Sequence, residues 1–125
     1  MALHIVAGRS AELICRKYLI ARGLKHLESN YRCRYGELDL IMTDREILVF
    51  AEVRYRKRSD FGTPAETVNG PKQRRLARTA LHFLQRHPDF FERPTRFDVL
   101  TVKGNLDQSN VVWLQDAFTI DDLWS

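Results

Sequence analysis

The sequence predicts an α/β or α+β fold in which helices flank a mixed sheet of about five strands. Three observations support this prediction. The predicted elements follow the order α-β-β-β-α-β-β, two strand patterns in the middle of the chain are strongly apolar, and the chain has 125 residues. A chain of this length fits one hydrophobic core, so residues 1–125 are expected to form a single domain.

The first half of the chain is predicted to contain one helix and three strands. Ser10 can cap a helix over residues 10–22, and Gly23 can end it. An apolar stripe recurs along this helix at helical spacing, formed by Ala11, Ile14, Cys15, Tyr18 and Leu19. The strands are predicted at residues 25–34, 37–43 and 47–55, and the last two have the stronger pattern.

The second half of the chain is predicted to begin with a loop rich in Gly and Pro over residues 59–70. Pro71 suits the first position of a second helix, which is predicted to run to about His87. Two more strands are predicted at residues 95–103 and 111–119. The buried face of the second helix is expected to consist of Leu76, Ala77, Ala80, Leu81 and Leu84.

The composition argues against several classes of protein. No apolar run reaches the roughly 18 residues that a membrane helix needs, and the N-terminus lacks the pattern of a secretory signal. Cys15 and Cys33 are too few for a disulfide scaffold and fit a reducing cytoplasm, although a bridge between them stays open. The sequence contains no CxxC motif and no pair of His residues at ligand spacing, so it gives no indication of a zinc site. We therefore expect a cytoplasmic protein without a membrane partner.

Positive charge is concentrated in one part of the chain. Residues 54–96 contain 11 Lys and Arg against 4 Asp and Glu, a net charge of +7, whereas the whole chain has a net charge of +4. Such a segment beside an acidic remainder is typical of a protein with a polyanionic partner. The alternative is an ordinary solvated face, which charge alone would favour.

Two carboxylates interrupt the strongest strand patterns. The stretch GELDLIMTDREILVFAEVRYRKR, residues 36–58, places Asp39 and Glu52 in strands that are otherwise apolar. Because side chains alternate between the faces of a strand, an even number of turn residues would put both acids on one face. They would then lie roughly 5 to 8 Å apart.

Paired carboxylates in such strands repel each other and lose hydration, so they destabilise the fold unless a cation lies between them. Mg²⁺ fits this requirement, because it binds one or two carboxylates together with water and phosphate oxygens. The alternative is an ion pair between an acid and a nearby arginine, such as Arg54 or Arg96. Two clustered acids beside a basic segment favour the metal.

An Asp on one strand and Glu-x-Lys on the next is the pattern of the PD-(D/E)xK nuclease superfamily, and this chain resembles it in GELDLI and FAEVRYR. Further segments extend the resemblance to the YraN-like group of uncharacterised proteins, placed near the archaeal Holliday-junction resolvases. They are GRSAELICRKYLIARG, ESNYRCRYGELDLI, DFGTPAETV, KQRRLARTA and RFDVL. The resemblance runs from about Gly8 to Phe118.

This resemblance implies a restriction-endonuclease-like core and an endonuclease that depends on Mg²⁺ or Mn²⁺. The implied substrate is DNA, with branched DNA as the substrate of the nearest relatives. Those relatives act as homodimers, so a homodimer is a further expectation. No small-molecule cofactor besides the metal is implied.

The resemblance also assigns roles to individual residues. Asp39 and Glu52 match the metal-binding acids, and the backbone carbonyl of Val53 matches a frequent extra ligand. Glu12 matches an additional acid of resolvase-like members, although from the sequence alone it would be an ordinary exposed helix residue.

Arg54 departs from the pattern, because it occupies the position of the catalytic Lys. Arginine stays protonated and cannot act as a base, but it can hold a water molecule or stabilise negative charge on a phosphate. Lys72 matches another lysine of the family and is the candidate substitute. The helix dipole disfavours a lysine at a helix start, which hints at a specific role, while the alternative is a solvated side chain.

Further basic residues are candidates for contacts with phosphates, which give affinity without reading sequence. Strand alternation places Arg56 on the face of the two acids. Asp98, in contrast, is predicted to be structural together with Arg96, and the alternative is that the pair orients the basic groups. The full candidate set for nucleic-acid binding is Arg56, Lys57, Arg58, Arg74, Arg75 and Arg78.

Three functional hypotheses follow. The leading one is a metal-dependent endonuclease with Asp39 and Glu52 at its centre. The second is a nucleic-acid-binding module that keeps the nuclease fold without turnover, which Arg54 favours; it predicts DNA binding that persists when Asp39 is replaced. The third is a protein-interaction domain whose basic face meets an acidic partner; it predicts DNA affinity typical of any protein of similar charge.

Overall fold

A five-stranded mixed sheet lies between two long helices. A computed structural model describes residues 2–57 and 68–118, with side chains from Gly8 onward. The elements follow the predicted order, and the α+β fold class is confirmed. They are α1 (Ala2–Ala21), β1 (Lys25–Cys33), β2 (Gly36–Asp44), β3 (Ile47–Arg56), α2 (Gly70–Arg86), β4 (Thr95–Lys103) and β5 (Val111–Phe118).

The strands lie side by side in chain order, from β1 to β5. Neighbouring strands are antiparallel except β3 and β4, which are parallel, with α2 in the connection between them. A two-residue turn, Arg45 and Glu46, joins β2 to β3, so Asp44 lies opposite Ile47. The even turn on which the placement of the two acids depends is therefore present.

Each helix covers one face of the sheet. Under α1, Ala11, Cys15 and Leu19 pack with residues of the three central strands, including Leu40 and Val49. Under α2, a second cluster includes Phe50 and Phe97 from the sheet. Because both faces are covered, the central strands read as nearly continuous apolar runs. The residues that α2 buries are Leu76, Ala77, Thr79, Ala80, Phe83 and Leu84.

The start of α1 differs from the prediction. The helix begins at Ala2, so Ser10 lies inside it and is not its cap. The residues before Ser10 include good helix formers, and the single Gly8 costs only about 1 kcal/mol relative to alanine. Gly23 ends the helix as predicted: it has a φ of 97°, and the amide of Leu24 donates to the carbonyl of Leu19 at 3.1 Å.

The second half of the chain follows the prediction with small shifts. Helix α2 begins at Gly70, one residue before Pro71, and Leu81 is only partly buried. Most of the predicted loop, residues 59–67, lies outside the described residues, as does the predicted end of the last strand at residue 119.

Side-chain alternation in β2 breaks at Asp39. Strict alternation would put Leu38 and Leu40 on one face, but Leu38 packs under α2 whereas Leu40 packs under α1. The pairing of β2 with β3 begins only at Leu40, opposite Ala51, so the first residues of β2 are free to twist away. Asp39 thus lies where the two strands diverge, and this opening allows other elements to reach it.

Two further observations concern the environment of the protein. Cys15 and Cys33 are both free, so the bridge left open above is absent. Across residues 2–57 and 68–118, no helix has the length and apolarity needed to cross a membrane.

Candidate metal and nucleic-acid site

Glu52 is a buried carboxylate between two cationic side chains. It lies within β3, on the face of the sheet that α2 covers, and its side chain is 6% exposed. The Nζ atom of Lys72 lies 3.1 Å from Oε2 of Glu52, and the Nη2 atom of Arg54 lies 3.5 Å from the same oxygen. Among the described residues, no hydrogen bond of good geometry reaches this oxygen. The charge of Glu52 is therefore compensated by Lys72 and Arg54.

The start of α2 places Lys72 at this carboxylate. The side chain of Asn69 caps the helix by accepting from the amide of Lys72 at 3.0 Å, and Pro71 fixes the first turn. A lysine here opposes the positive end of the helix dipole. The contact with Glu52 offsets that cost, which explains the residue better than a freely solvated lysine does.

Asp39 lies beside Glu52. Leu40 is opposite Ala51, and the next residues outward on the two strands are Asp39 and Glu52. A hydrogen bond joins their carboxyl groups, and Oδ2 of Asp39 also accepts from the backbone amide of Val53 at 2.8 Å. The structure therefore brings the two acids together, as the even turn predicts.

The pKa of Asp39 is raised from its ordinary value of 3.8 to about 9. Burial is the main cause, followed by the hydrogen bond with Glu52 and by its negative charge. The amide of Val53 lowers the pKa but does not outweigh these effects. The folded protein therefore favours the protonated form of Asp39 at neutral pH.

Glu12 brings a third carboxyl group from α1. Its side chain is half-buried and makes a hydrogen bond with Asp39, and its Oε1 atom accepts from Nδ2 of Asn30 at 2.8 Å. Burial raises the pKa of Glu12, and the charge of Glu37 adds to the effect. Glu12 is thus part of the acid group and not the exposed helix residue that the sequence alone suggested.

The three acids, one each from α1, β2 and β3, form a line in which Asp39 is central. Within the described part of the chain, no three His, Cys, Asp or Glu side chains converge as a ready metal site. The donor set nevertheless fits Mg²⁺ or Mn²⁺, because carboxylate oxygens are what these ions prefer. The raised pKa of Asp39 marks a place where negative charge is crowded, and a divalent cation would relieve that crowding.

An open cleft of about 870 Å³ leads to Asp39 and Glu12. Two arginines that the sequence analysis missed, Arg9 and Arg32, line it, as does Asn30. Arg9 precedes Glu12 by one helical turn, and the pairing of β1 with β2 puts Arg32 opposite Glu37. That helical spacing and strand pairing are the signals that could have identified them.

The predicted phosphate-binding residues are dispersed around the site. Arg75 lines a small hollow with Lys72 and Glu37, close to the acids. Arg78 lines a separate hollow with Tyr35. The remaining candidates are Arg74 and Lys57, both exposed, Arg56, which is half-buried and donates to the carbonyl of Tyr55, and Arg58, which lies outside the described residues.

Asp98, in contrast to Asp39, is a structural acid whose two carboxylate oxygens both accept hydrogen bonds. It is 1% exposed and accepts from Nε of Arg96, from Nε1 of Trp113 at 2.9 Å and from the amide of Asp116 at 2.9 Å. Arg96 also contacts Asp44 at 3.0 Å. The arginine pairing considered as an alternative to metal binding therefore occurs between Arg54 and Glu52, while Arg96 serves other acids.

Replacing Asp39 by Asn is expected to stabilise the protein at pH 8 without divalent cations. The raised pKa means that the folded protein keeps a proton which the unfolded chain releases. Native stability therefore falls as pH rises from the unfolded pKa of 3.8 through the folded pKa of about 9. Asparagine cannot ionise, so we expect a gain of at least about 1.4 kcal/mol, the worth of one pKa unit.

Urea unfolding in EDTA at pH 5 and pH 8 measures this effect. The stability of the native protein should fall between the two pH values, and that of Asp39→Asn should fall less. Equal falls would show that Glu12 or Glu52, and not Asp39, carries the proton.

Comparisons with known proteins match nearly the whole chain. A family profile, "Uncharacterised protein family UPF0102", covers residues 11–102. A UPF0102 protein of Nitrosococcus oceani is 45% identical over 120 residues, which cover 96% of this chain and 97% of that protein. The corresponding protein of Alcanivorax borkumensis is 47% identical over 112 residues, covering 89% and 90%. That of Saccharophagus degradans is 38% identical over 122 residues, covering 98% and 100%.

Proposed function

Since the chain belongs to the uncharacterised protein family UPF0102, the YraN family, we propose its function from the site itself: a metal-dependent endonuclease that hydrolyses phosphodiester bonds in DNA. One observation carries the proposal. The carboxyl groups of Asp39 and Glu52 are in contact and largely buried, with a lysine at 3.1 Å and an arginine-lined cleft beside them. A structural role alone does not explain two acids buried against each other, one of them with a raised pKa.

The acids of the site would hold the metal, with Asp39 and Glu52 at its centre and Glu12 and the carbonyl of Val53 beside them. When bound, Mg²⁺ or Mn²⁺ lowers the pKa of a water molecule and neutralises charge on the scissile phosphate. Asp39 must release its proton before its oxygens can accept a cation. The site is therefore expected to load metal more readily as the pH rises.

Lys72 and Arg54 have different tasks beside these acids. Both are cations within 3.5 Å of Glu52, so both can stabilise the negative charge that develops on a phosphate. Arg54 cannot act as a base because a guanidinium stays protonated. Lys72 therefore takes the role that the family pattern gives to a lysine at the position that Arg54 occupies in this chain.

The arginines of the cleft and of α2 would hold the phosphate backbone. Arg9 and Arg32 lie on the Glu12 side of the site, and Arg75 lies next to Lys72 on the other side. Phosphate contacts of this kind do not read sequence, so selectivity would come from DNA shape. A branched substrate, a homodimer and a cytoplasmic location extend the proposal by resemblance and by the two free thiols.

A cleavage assay tests the proposal. End-labelled four-way junction, duplex and single-stranded DNA are incubated with the native protein in Mg²⁺, in Mn²⁺ and in EDTA. We expect cutting in metal, none in EDTA, and a preference that identifies the substrate shape. DNA binding without cutting under every condition would reject the enzyme.

A second candidate is a nucleic-acid-binding module without turnover. Arg54 at the usual lysine position and the ion pair of Glu52 with Lys72 favour it, because both cations can compensate the acid permanently. This candidate predicts DNA binding that is salt-sensitive, independent of metal and unchanged by Asp39→Asn.

Replacing Lys72 by Ala is expected to lower the cleavage rate by roughly 10² to 10³, the usual cost of losing one group that stabilises transition-state charge. Arg54→Lys should retain activity, since it supplies an ammonium at the same position. Lys25→Ala, an exposed lysine on β1, is the matched control for lost charge. Single-turnover cleavage measures all three, and a Lys72→Ala rate equal to the control would remove Lys72 from the mechanism.

A further inference from the structure

Asn30 has an unusual backbone in the middle of β1. Its φ is 56°, in the left-handed region that residues other than glycine rarely adopt. Ser29 pairs with Leu40 and Tyr31 pairs with Leu38, so Asn30 lies opposite Asp39. The register is continuous here, because the irregularity of β1 lies earlier, between His26 and Glu28. A register shift therefore does not account for the left-handed residue.

The side chain of Asn30 reaches across to α1. Its Nδ2 atom donates to Oε1 of Glu12 at 2.8 Å, although the two residues are 18 positions apart. Glu12 in turn bonds to Asp39. Asn30 therefore joins the strand to the helix at the point where the third acid meets the central one.

Glu12 needs a donor at this position. Its carboxyl group is half-buried and faces the charges of Glu37 and Glu52, which favour rotation of the side chain away from Asp39. Arg32, which lines the same cleft, is paired with Glu37 at 3.0 Å. An amide holds a carboxylate without neutralising it, so the acid stays available to a divalent cation, whereas a lysine or arginine here would compete with that cation.

We propose that Asn30 is a positioning residue, whose left-handed backbone and side-chain amide hold Glu12 against Asp39 as the third acid of the site. The proposal rests on the proposed function, because it concerns the same acids. Strain of this kind persists where the surrounding structure requires it, and asparagine tolerates it better than most residues. Groups that orient metal-binding side chains in this way commonly change metal affinity by about 10- to 100-fold.

Asn30→Gly isolates the side chain from the backbone. Glycine adopts a positive φ freely, so the strand keeps its shape while the donor is lost. Arg45→Gly is the matched control, because Arg45 also has a positive φ, of 57°, in the turn between β2 and β3. Mn²⁺ affinity is measured by isothermal titration calorimetry, and folding is followed by thermal unfolding in EDTA.

We expect Asn30→Gly to weaken Mn²⁺ binding by about 10-fold or more and to leave the unfolding midpoint near that of the native protein. Arg45→Gly should change neither quantity. In a Glu12→Gln background, Asn30→Gly should have no further effect on Mn²⁺ affinity, because the acid that it positions is gone. This non-additivity is the result that a merely structural role would not produce.

Native Mn²⁺ affinity in Asn30→Gly, or an equal loss with and without Glu12, would overturn the inference. So would weaker DNA binding in EDTA at unchanged Mn²⁺ affinity, since Asn30 would then contact the substrate itself. If the native protein cuts DNA in metal, these outcomes leave the proposed function standing. If the native protein neither binds Mn²⁺ nor cuts, both proposals fail together.

Discussion

Replacing Glu52 by Gln is expected to abolish metal-dependent cleavage, with a loss of well over about 100-fold, the upper range for residues that only orient a ligand. The change keeps the shape of the side chain and removes its charge. It leaves Asp39 without the acid beside it, and it leaves Lys72 and Arg54 without the carboxylate that they now contact. Single-turnover cleavage of the best substrate measures the effect.

DNA binding should survive the same substitution. Glu52→Gln makes the site more positive by one charge, so affinity measured in EDTA by fluorescence anisotropy should be equal to or higher than that of the native protein. Glu46→Gln provides the matched control, because Glu46 is an exposed acid in the turn between β2 and β3. Cleavage by Glu52→Gln at the rate of this control would exclude Glu52 as a metal ligand.

Replacing Asp98 by Ala is expected to lower the free energy of unfolding by about 3 to 5 kcal/mol, the range for breaking a buried ion pair. Asp98 accepts from the guanidinium of Arg96, from the indole of Trp113 and from a backbone amide. The side chain of Arg96 is only 10% exposed and would keep Asp44 as an acidic partner. Donors left unpaired in the interior carry the full cost of lost hydration.

Urea denaturation measures this loss, with the slope of the transition as a check that both proteins unfold in the same way. Asp89→Ala is the control, since Asp89 is an exposed acid in a short 3₁₀ turn and its loss should change stability by about 0.5 kcal/mol or less. A change below about 1 kcal/mol in Asp98→Ala would show that water or a rearranged Asp44 satisfies the arginine.

Two aspartates on different strands thus have contrasting environments. Asp98 lies opposite Ala51 and is surrounded by donors, which suits a carboxylate that stays ionised and holds the fold together. Asp39 lies beside a second acid, and its pKa is raised. Their neighbours in the sequence already distinguish them, since Arg96 lies two residues from Asp98.

Local patterns determined much of this protein. Strand alternation and an even turn are short-range properties, so they predicted Asp39 beside Glu52 and defined both central strands, although the alternation breaks at Asp39 itself. The predicted start of α2 at Pro71 lies one residue from the observed start at Gly70, so Lys72 was correctly assigned to the first turn of the helix. The periodicity of α2 identified most of its buried face. Each of these features depends on residues within a few positions of one another, which is why the sequence alone could supply them.

Tertiary structure decided how separate elements meet. The contact of Lys72 with Glu52 joins residues 20 positions apart, and that of Asn30 with Glu12 joins residues 18 apart. The break in alternation at Asp39 arises because β2 and β3 stop pairing at Leu40, and no local propensity signals where a ladder ends. The proximity of the two acids could therefore be predicted from the sequence. The raised pKa of Asp39, the contact of Lys72 with Glu52 and the position of Glu12 depend on how both helices pack against the sheet.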